Sequence, residues 1–169
     1  MKKVLVVVDM QEDFIYGSLG SEAARAIVPN IKRKIEEYLS SNNTVIFTRD
    51  THRANYLETQ EGKFLPVPHC IHGTKGWCVI DELEHCECQH IDKYTFGYTH
   101  WDQWIGNECE SIELCGVLSE ICVISNALVL KAVYPNVPIF VDNKCCAGAS
   151  TETHEAAMAV LKSCQINVV

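Results

Sequence analysis

Three side chains able to run a nucleophilic reaction stand at the ends of predicted strands: Asp9, Lys93 and Cys122. Cys122 follows a stretch, Leu114-Cys115-Gly116-Val117-Leu118-Ser119-Glu120-Ile121, that reads as strand, tight turn and helix. The strand covers Ser111 to Val117, Gly116 gives room to turn, and the helix runs from Ile121 to Val133. Ser119 and Glu120 can cap and charge that helix start. A thiol in a first helical turn meets unpaired backbone N–H groups, which favour a thiolate and can hold an oxyanion. The same position suits a small buried apolar residue, so this stretch alone leaves both readings open. A carboxylate, an ammonium and a thiol together make chemical sense. Asp9 can take the thiol proton as general base, and the Lys93 ammonium can favour the thiolate by its charge.

A second group of polar side chains lies between these. Asp50-Thr51-His52 puts a carboxylate and an imidazole two residues apart in an extended segment, hence on one side of it. Residues Arg53 to Gly76 show few periodic apolar positions and include Pro66, Pro68 and Gly73. A loop of that length in a compact domain is more often functional than idle. It carries Glu58, Glu61, His69 and His72. Cys86-Glu87-Cys88 lacks the second pair that a structural zinc knuckle needs.

The elements that must position these groups alternate strand and helix. Val4 to Val8 is a continuous β-branched and aliphatic run, as in a strand buried on both faces of a parallel sheet, and it ends in Asp9. A helix is expected over Glu22 to Ser41, with Ile27, Ile31, Ile35 and Leu39 recurring at four-residue spacing and Pro29 marking its true first turn. Thr44 to Arg49 is the second strand, ending in Asp50. Short helices are expected over Trp77 to Leu83 and Trp101 to Ile105, with a strand over Glu87 to Ile91 between them. Val137 to Val141 is a further strand ending in an acid, Asp142, followed by a loop over Cys145 to Gly148. Thr151 to Ser163 forms a helix capped by Ser150 or Thr151, and Ile166 to Val169 a last strand. This order predicts one α/β domain over residues 1–169, three layers thick: a mostly parallel sheet with helices on both faces. In such sheets ligands gather at the C-terminal strand ends, where Asp9 and its partners fall.

The 169 residues can bury a sizeable core. The net charge of −8 argues against a nucleic-acid partner, because phosphate binding needs a basic surface. No apolar run approaches the length of a membrane span, and Val4 to Val8 is too short for a signal peptide. Ten cysteines without a signal peptide point to reduced thiols and a cytoplasmic setting; a thiol-based redox sensor is the alternative that this count raises.

The sequence resembles the isochorismatase-like cysteine hydrolases, and within them the nicotinamidase (pyrazinamidase) branch. The matching motifs are Val-Asp9-Met-Gln-x-Asp-Phe14, Lys93 in Asp-Lys-Tyr-x-x-Phe, and Gly116-Val-x-Ser-x-x-Cys122-Val, in that order over almost the whole chain. The resemblance implies Asp9, Lys93 and Cys122 as the catalytic trio. It implies a cis peptide between Val117 and Leu118, and an oxyanion site made by the backbone N–H groups of Leu118 and Cys122. Asp50-x-His52 with His69 in Pro66-Val-Pro-His69-Cys-Ile-His-Gly73-Thr74 looks like that branch's metal pattern. It implies Asp50, His52 and His69 as ligands of a divalent ion, zinc foremost, with iron or manganese as alternatives. Glu61 is the candidate fourth ligand and Glu58 its competitor; His72 is expected to bond within the loop. Phe14 and Leu118 are expected to line the substrate pocket. The implied activity is hydrolysis of nicotinamide to nicotinate and ammonia, within pyridine nucleotide salvage and NAD metabolism. A related small amide or N-carbamoyl compound is the alternative substrate. The implied partner is a small-molecule amide, in a homo-oligomer. The chain departs from the family at Leu118, where a small residue is common, at Glu120, commonly Asp, and at Phe64-Leu65, where a tryptophan is frequent.

Overall fold

The computed structural model describes residues 2–106 and 108–169. Six strands form one sheet: β1 (Lys3–Val8), β2 (Thr44–Asp50), β3 (Gln89–Lys93), β4 (Ser111–Val117), β5 (Ile139–Ala147) and β6 (Asn167–Val168). The order is β3-β2-β1-β4-β5-β6, and every neighbouring pair is parallel. The chain therefore works outward from β1 to β3, returns to the other side of β1, and works outward again. Right-handed crossovers in opposite directions place their helices on opposite faces of the sheet. After the one-turn helix α1 (Glu12–Ile15), helix α2 (Glu22–Ser40) covers one face, and beyond the short α3 (Gln60–Phe64), α4 (Ile124–Val133) with α5 (Thr151–Ser163) covers the other. Glu113 of β4 reaches α2, while its strand neighbours Ile112 and Leu114 are buried on the opposite side, as strand alternation requires. The point where strand order reverses lies between β1 and β4, and a crevice opens there at the carboxyl ends.

Central burial explains the apolar β1 run: Leu5 to Val8 are fully buried, with β2 on one side and β4 on the other. Gly116 is needed where β4 closes on β1. Its φ is +117°, and a Cβ there would sit 2.1 Å from the Val8 carbonyl oxygen. It thus permits a close approach inside β4 rather than a turn after it, and the β4–β5 register shifts beside it.

Several sequence expectations are corrected. Pro29 lies inside α2, which begins two turns earlier because Ser21 caps it by accepting from the Ala24 N–H and because Ala24, Ile27 and Val28 are buried. Trp77 to Leu83 is not a helix. Lys75–Trp77 forms one 3-10 turn, and the following backbone bonds instead to the chain after β1: Ile80 N–H to the Met10 carbonyl, and Glu12 N–H to the Cys78 carbonyl. Trp101–Gln103 is likewise a single 3-10 turn, and β3 lies two residues further on than expected. Cys145 to Ala147 is strand, paired with β4 through Gly116–Cys146 and Val117–Ala147. Asp142 consequently lies within β5, bound to Lys34 of α2, and does not end a strand. The expected helix from Ile121 begins as a wide π-helical turn, Ser119–Val123, before α4.

Candidate active site

The switch-point crevice collects the polar groups. Asp9 ends β1 with a left-handed backbone (φ 52°) and is fully buried. Thr48 of β2 holds it: the Thr48 hydroxyl donates to Asp9 Oδ1 at 2.6 Å, and the Asp9 N–H donates to the Thr48 carbonyl at 3.2 Å. Lys93 ends β3, which is not next to β1; β2 lies between them. The long lysine stem spans that gap. Its ammonium sits 2.7 Å from Asp9 Oδ2, 3.3 Å from Asp50 Oδ1 and 3.5 Å from Cys122 Sγ. Trio and strand ends therefore meet, though of the three strands only β1 and β4 are neighbours.

Cys122 sits on the π-helical turn after β4, and the Val117–Leu118 peptide is cis. The Val123 and Ile121 N–H groups both donate to the Leu118 carbonyl at 3.1 Å. Ser119 and Glu120 do not cap this turn by their side chains. They reach sideways: Ser119 Oγ lies 2.7 Å from His154 Nδ1, and Glu120 Oε1 accepts from the Ala149 N–H and the Thr153 hydroxyl. Asn126, one turn on, donates to the Cys122 carbonyl at 2.8 Å and to the Phe96 carbonyl at 3.1 Å.

Burial and charge compete here. Burial raises the Asp9 carboxyl above its ordinary value against the pull of Lys93, and raises the Cys122 thiol well above its own, with Asp9 adding to the rise. Burial opposes the Lys93 charge, but Asp9, Cys122 and Asp50 together hold its ammonium. Burial thus favours the neutral thiol and makes Asp9 more basic than an ordinary aspartate, with the Lys93 ammonium held against both.

Next to it, Asp50, His52, Glu61 and His69 converge, each offering one ligand atom, all within 4.8 Å of one another. His52 Nε2 is 2.9 Å and His69 Nε2 3.5 Å from Asp50 Oδ2; Glu61 Oε1 is 3.6 Å and 3.8 Å from the same two nitrogens. Two carboxylates and two imidazoles aimed at one point are a donor set for a borderline divalent cation. Burial and the neighbouring Asp50 raise the Glu61 carboxyl, a strain that a cation would relieve. Glu58 is exposed and lies outside the cluster, and His72 packs on Trp77 while its N–H donates to the His52 carbonyl.

The cluster is tethered by residues that the sequence reading passed over. Gln11 is fully buried and clamps the end of β2, donating to the Asp50 carbonyl at 2.9 Å and accepting the Asp50 N–H at 2.7 Å. Asp13 accepts the Cys70 N–H at 2.8 Å, fixing the residue after His69. Tyr56 packs edge-on to both imidazoles and donates to the Leu65 carbonyl. Gln11 and Asp13 lie within the first motif, where their spacing from Asp9 was the available signal. A small, partly open pocket of about 50 Å³ joins the two groups; Phe14, Leu65, Phe96 and Leu118 wall it, with Asp50, Glu61, His69 and Cys122 lining it as well.

The fold is shared with known proteins. The isochorismatase domain model matches residues 3–169. The nicotinamidase/pyrazinamidase of Bacillus subtilis superposes with a TM-score of 0.87 at 24% identity, covering 100% of both chains. The pyrazinamidase of Pyrococcus horikoshii, solved in complex with zinc, gives 0.86 at 26% identity over 100% of this chain and 99% of that one. The N-carbamoylsarcosine amidase of Thermoplasma acidophilum gives 0.82 at 25% identity, covering 99% of this chain and 95% of that one. No curated protein sequence matches.

Proposed function

The chain belongs to the isochorismatase family, and from that premise we propose that it is a metal-containing cysteine amidohydrolase whose substrate is nicotinamide, released as nicotinate and ammonia. One observation carries the reading: Cys122 and the Asp50–Glu61–His69 side of the donor cluster open into the same small pocket. A flat carboxamide with a ring nitrogen fits that pairing, the amide carbon at the thiol and the nitrogen toward the cluster.

Asp9 takes the Cys122 proton as the sulfur attacks the amide carbon. Burial has already raised the Asp9 carboxyl, which makes it a better base than an ordinary aspartate. The Lys93 ammonium offsets the charge that develops on the Asp9–Cys122 pair. The Leu118 and Cys122 backbone N–H groups are proposed to hold the oxyanion. Protonated Asp9 then gives its proton to the departing ammonia, leaving a thioester on Cys122. Asp9 next activates water to hydrolyse the thioester and return the thiol. Asp50, His52, Glu61 and His69 would hold a divalent ion, zinc foremost, whose contribution is to orient the ring nitrogen. Phe14, edge-on to His69, and Leu118 enclose the ring and exclude water.

The test is ammonia release from nicotinamide by the wild type, Cys122→Ala and His52→Ala, each with metal analysis. Release that depends on Cys122 supports the proposal; none from metal-loaded wild type would sink it. An N-carbamoyl amide is the second reading, favoured by the similarity to N-carbamoylsarcosine amidase. The four-residue donor cluster weighs for a ring nitrogen instead. Redox sensing draws no support from Cys70, Cys115, Cys145 and Cys146, which are buried away from solvent oxidants. Nicotinate production would place the protein in pyridine nucleotide salvage in the cytoplasm. Among the described residues no helix is long and apolar enough to cross a membrane. The homo-oligomer belongs to the same proposal, and sedimentation tests it.

A further inference from the structure

Glu61 and Phe96 each face two spaces. Inward, they wall the pocket at Cys122, about 50 Å³. Outward, with Gln60, Phe64, Tyr94 and Thr95, they wall a trough of about 500 Å³. The trough is apolar and wet: Phe64 is 82% exposed, Tyr94 62% and Phe96 43%. Single exposed apolar residues are ordinary, but three aromatic rings around one trough beside a reactive pocket form a contiguous patch with a use.

Both walls are tied to the catalytic elements. Phe64 closes the short helix α3 (Gln60–Phe64), which also carries Glu61, and Tyr94 directly follows Lys93 at the end of β3. The Phe96 carbonyl is held by Asn126, the same side chain that holds the Cys122 carbonyl. The trough is therefore built in fixed register with the nucleophile.

We propose that this trough is the outer half of the substrate site and selects carboxamides whose small ring carries an apolar, preferably aromatic, arm. The proposal rests on the amide-hydrolase reading above. The inner pocket, at about 50 Å³, has no room for a substituent besides the reacting ring, so an arm must leave it, and Glu61 and Phe96 are the residues common to both spaces. In a nicotinamide, the ring nitrogen and the carboxamide-bearing carbon lie meta to one another. Carbon 5 lies opposite the edge they form, so an arm at that carbon points away from both anchors. Phe64 and Tyr94 would then cover it, removing apolar surface from water on both partners.

The test compares nicotinamide with its 5-phenyl and 5-hydroxymethyl derivatives. In the wild type, kcat/KM for the 5-phenyl compound should exceed that for nicotinamide by about tenfold, while the hydroxymethyl compound gains nothing. In a Phe64→Ser/Tyr94→Ser double variant, exposed positions whose loss leaves the core intact, the phenyl-to-parent ratio should fall to about one. Calorimetric binding to Cys122→Ala should show the same tenfold preference in Kd without turnover. Hydrolysis of nicotinamide with no phenyl preference in either assay would overturn the proposal and leave the amidase reading standing. Neither turnover nor binding of any of these amides would overturn both. A dimer in sedimentation that the double variant dissolves, with the phenyl-to-parent ratio unmoved, would assign the trough to a second copy of the chain and overturn the proposal as well.

Discussion

The two halves of the site are built in different ways. Asp9, Lys93 and Cys122 stand at or just beyond the ends of three sheet strands and are all but inaccessible to water. The donor cluster takes only Asp50 from the sheet; His52, Glu61 and His69 come from the connection between β2 and β3, Glu61 on the short helix α3 within it. That connection is held by side-chain-to-backbone bonds of Gln11 (to the Trp77 carbonyl), Asp13 and Tyr56. The charges divide too. Burial dominates at Asp9 and raises its carboxyl. At Asp50, burial is overcome by His52, His69 and Lys93, which hold the carboxyl far below its ordinary range. A reactive thiol and its base need a frame that cannot shift, which a central sheet supplies. A site that receives an ion and a ring can be assembled from loops, provided something ties them down.

Four measurements would break or sharpen this contrast. The largest effect is expected for Cys122→Ala, with kcat lowered by ~10⁴-fold or more while metal content and melting temperature stay near wild type. Loss of the metal in that variant would show the halves to be one unit. Lys93→Met should act on both halves, since Asp9 and Asp50 share the ammonium. Breaking a buried pair leaves an uncompensated charge, so unfolding stability should drop by about 3–5 kcal/mol in denaturant titration. A stability within 1 kcal/mol of wild type, on the order of a surface pair, would contradict the shared-cation picture.

On the loop side, Asp13→Ala removes the bond to the Cys70 N–H but touches neither Cys122 nor the sheet. Metal affinity should fall about 10- to 100-fold, as for other supports of ligand residues, with kcat recovered at saturating zinc. A kcat that stays low at full metal occupancy would place Asp13 with the chemistry. The smallest effect concerns a third network that belongs to neither half. Lys34 binds Glu113 and Asp142 at 2.6 Å and 2.8 Å, fastening α2 to the sheet. Burial opposes the Asp142 charge, but Lys34 wins and depresses its carboxyl below the ordinary 3.8. A depressed carboxyl contributes stability that is present above 3.8 and is lost as pH falls through the lower folded value. The stability gap between wild type and Asp142→Asn should therefore be open at pH 7 and close in stronger acid. A gap that does not change with pH would show that the pair contributes packing alone.

The parts legible in the sequence share a physical property: their signal is local. The β1 run, β4 over Ser111–Val117, and α5 over Thr151–Ser163 declare themselves through continuous apolarity, periodicity and a serine cap. The misread parts answer to distant partners. Trp77 to Leu83 has a helical pattern, yet its backbone bonds to the chain after β1. Cys145 to Ala147 looks like a loop because its residues are small, yet β4 supplies a ladder for it. Gly116 looks like a turn, and only the approach of Val8 shows why no side chain fits there.

By itself, the sequence determined which chemistries were available: a thiol, a carboxylate and an ammonium after predicted strands, and an Asp-x-His ahead of a long loop with another histidine. It also determined an alternating α/β chain, because side-chain periodicity is written residue by residue. Only the tertiary structure decided that Lys93 reaches across β2 to Asp9, and that Glu61 rather than Glu58 joins the histidines. It alone decided that the small inner pocket shares its wall with an aromatic trough. Those outcomes depend on strand order and on where a loop folds back, and contacts made across a sheet or within an irregular loop leave no periodic mark on the chain that makes them.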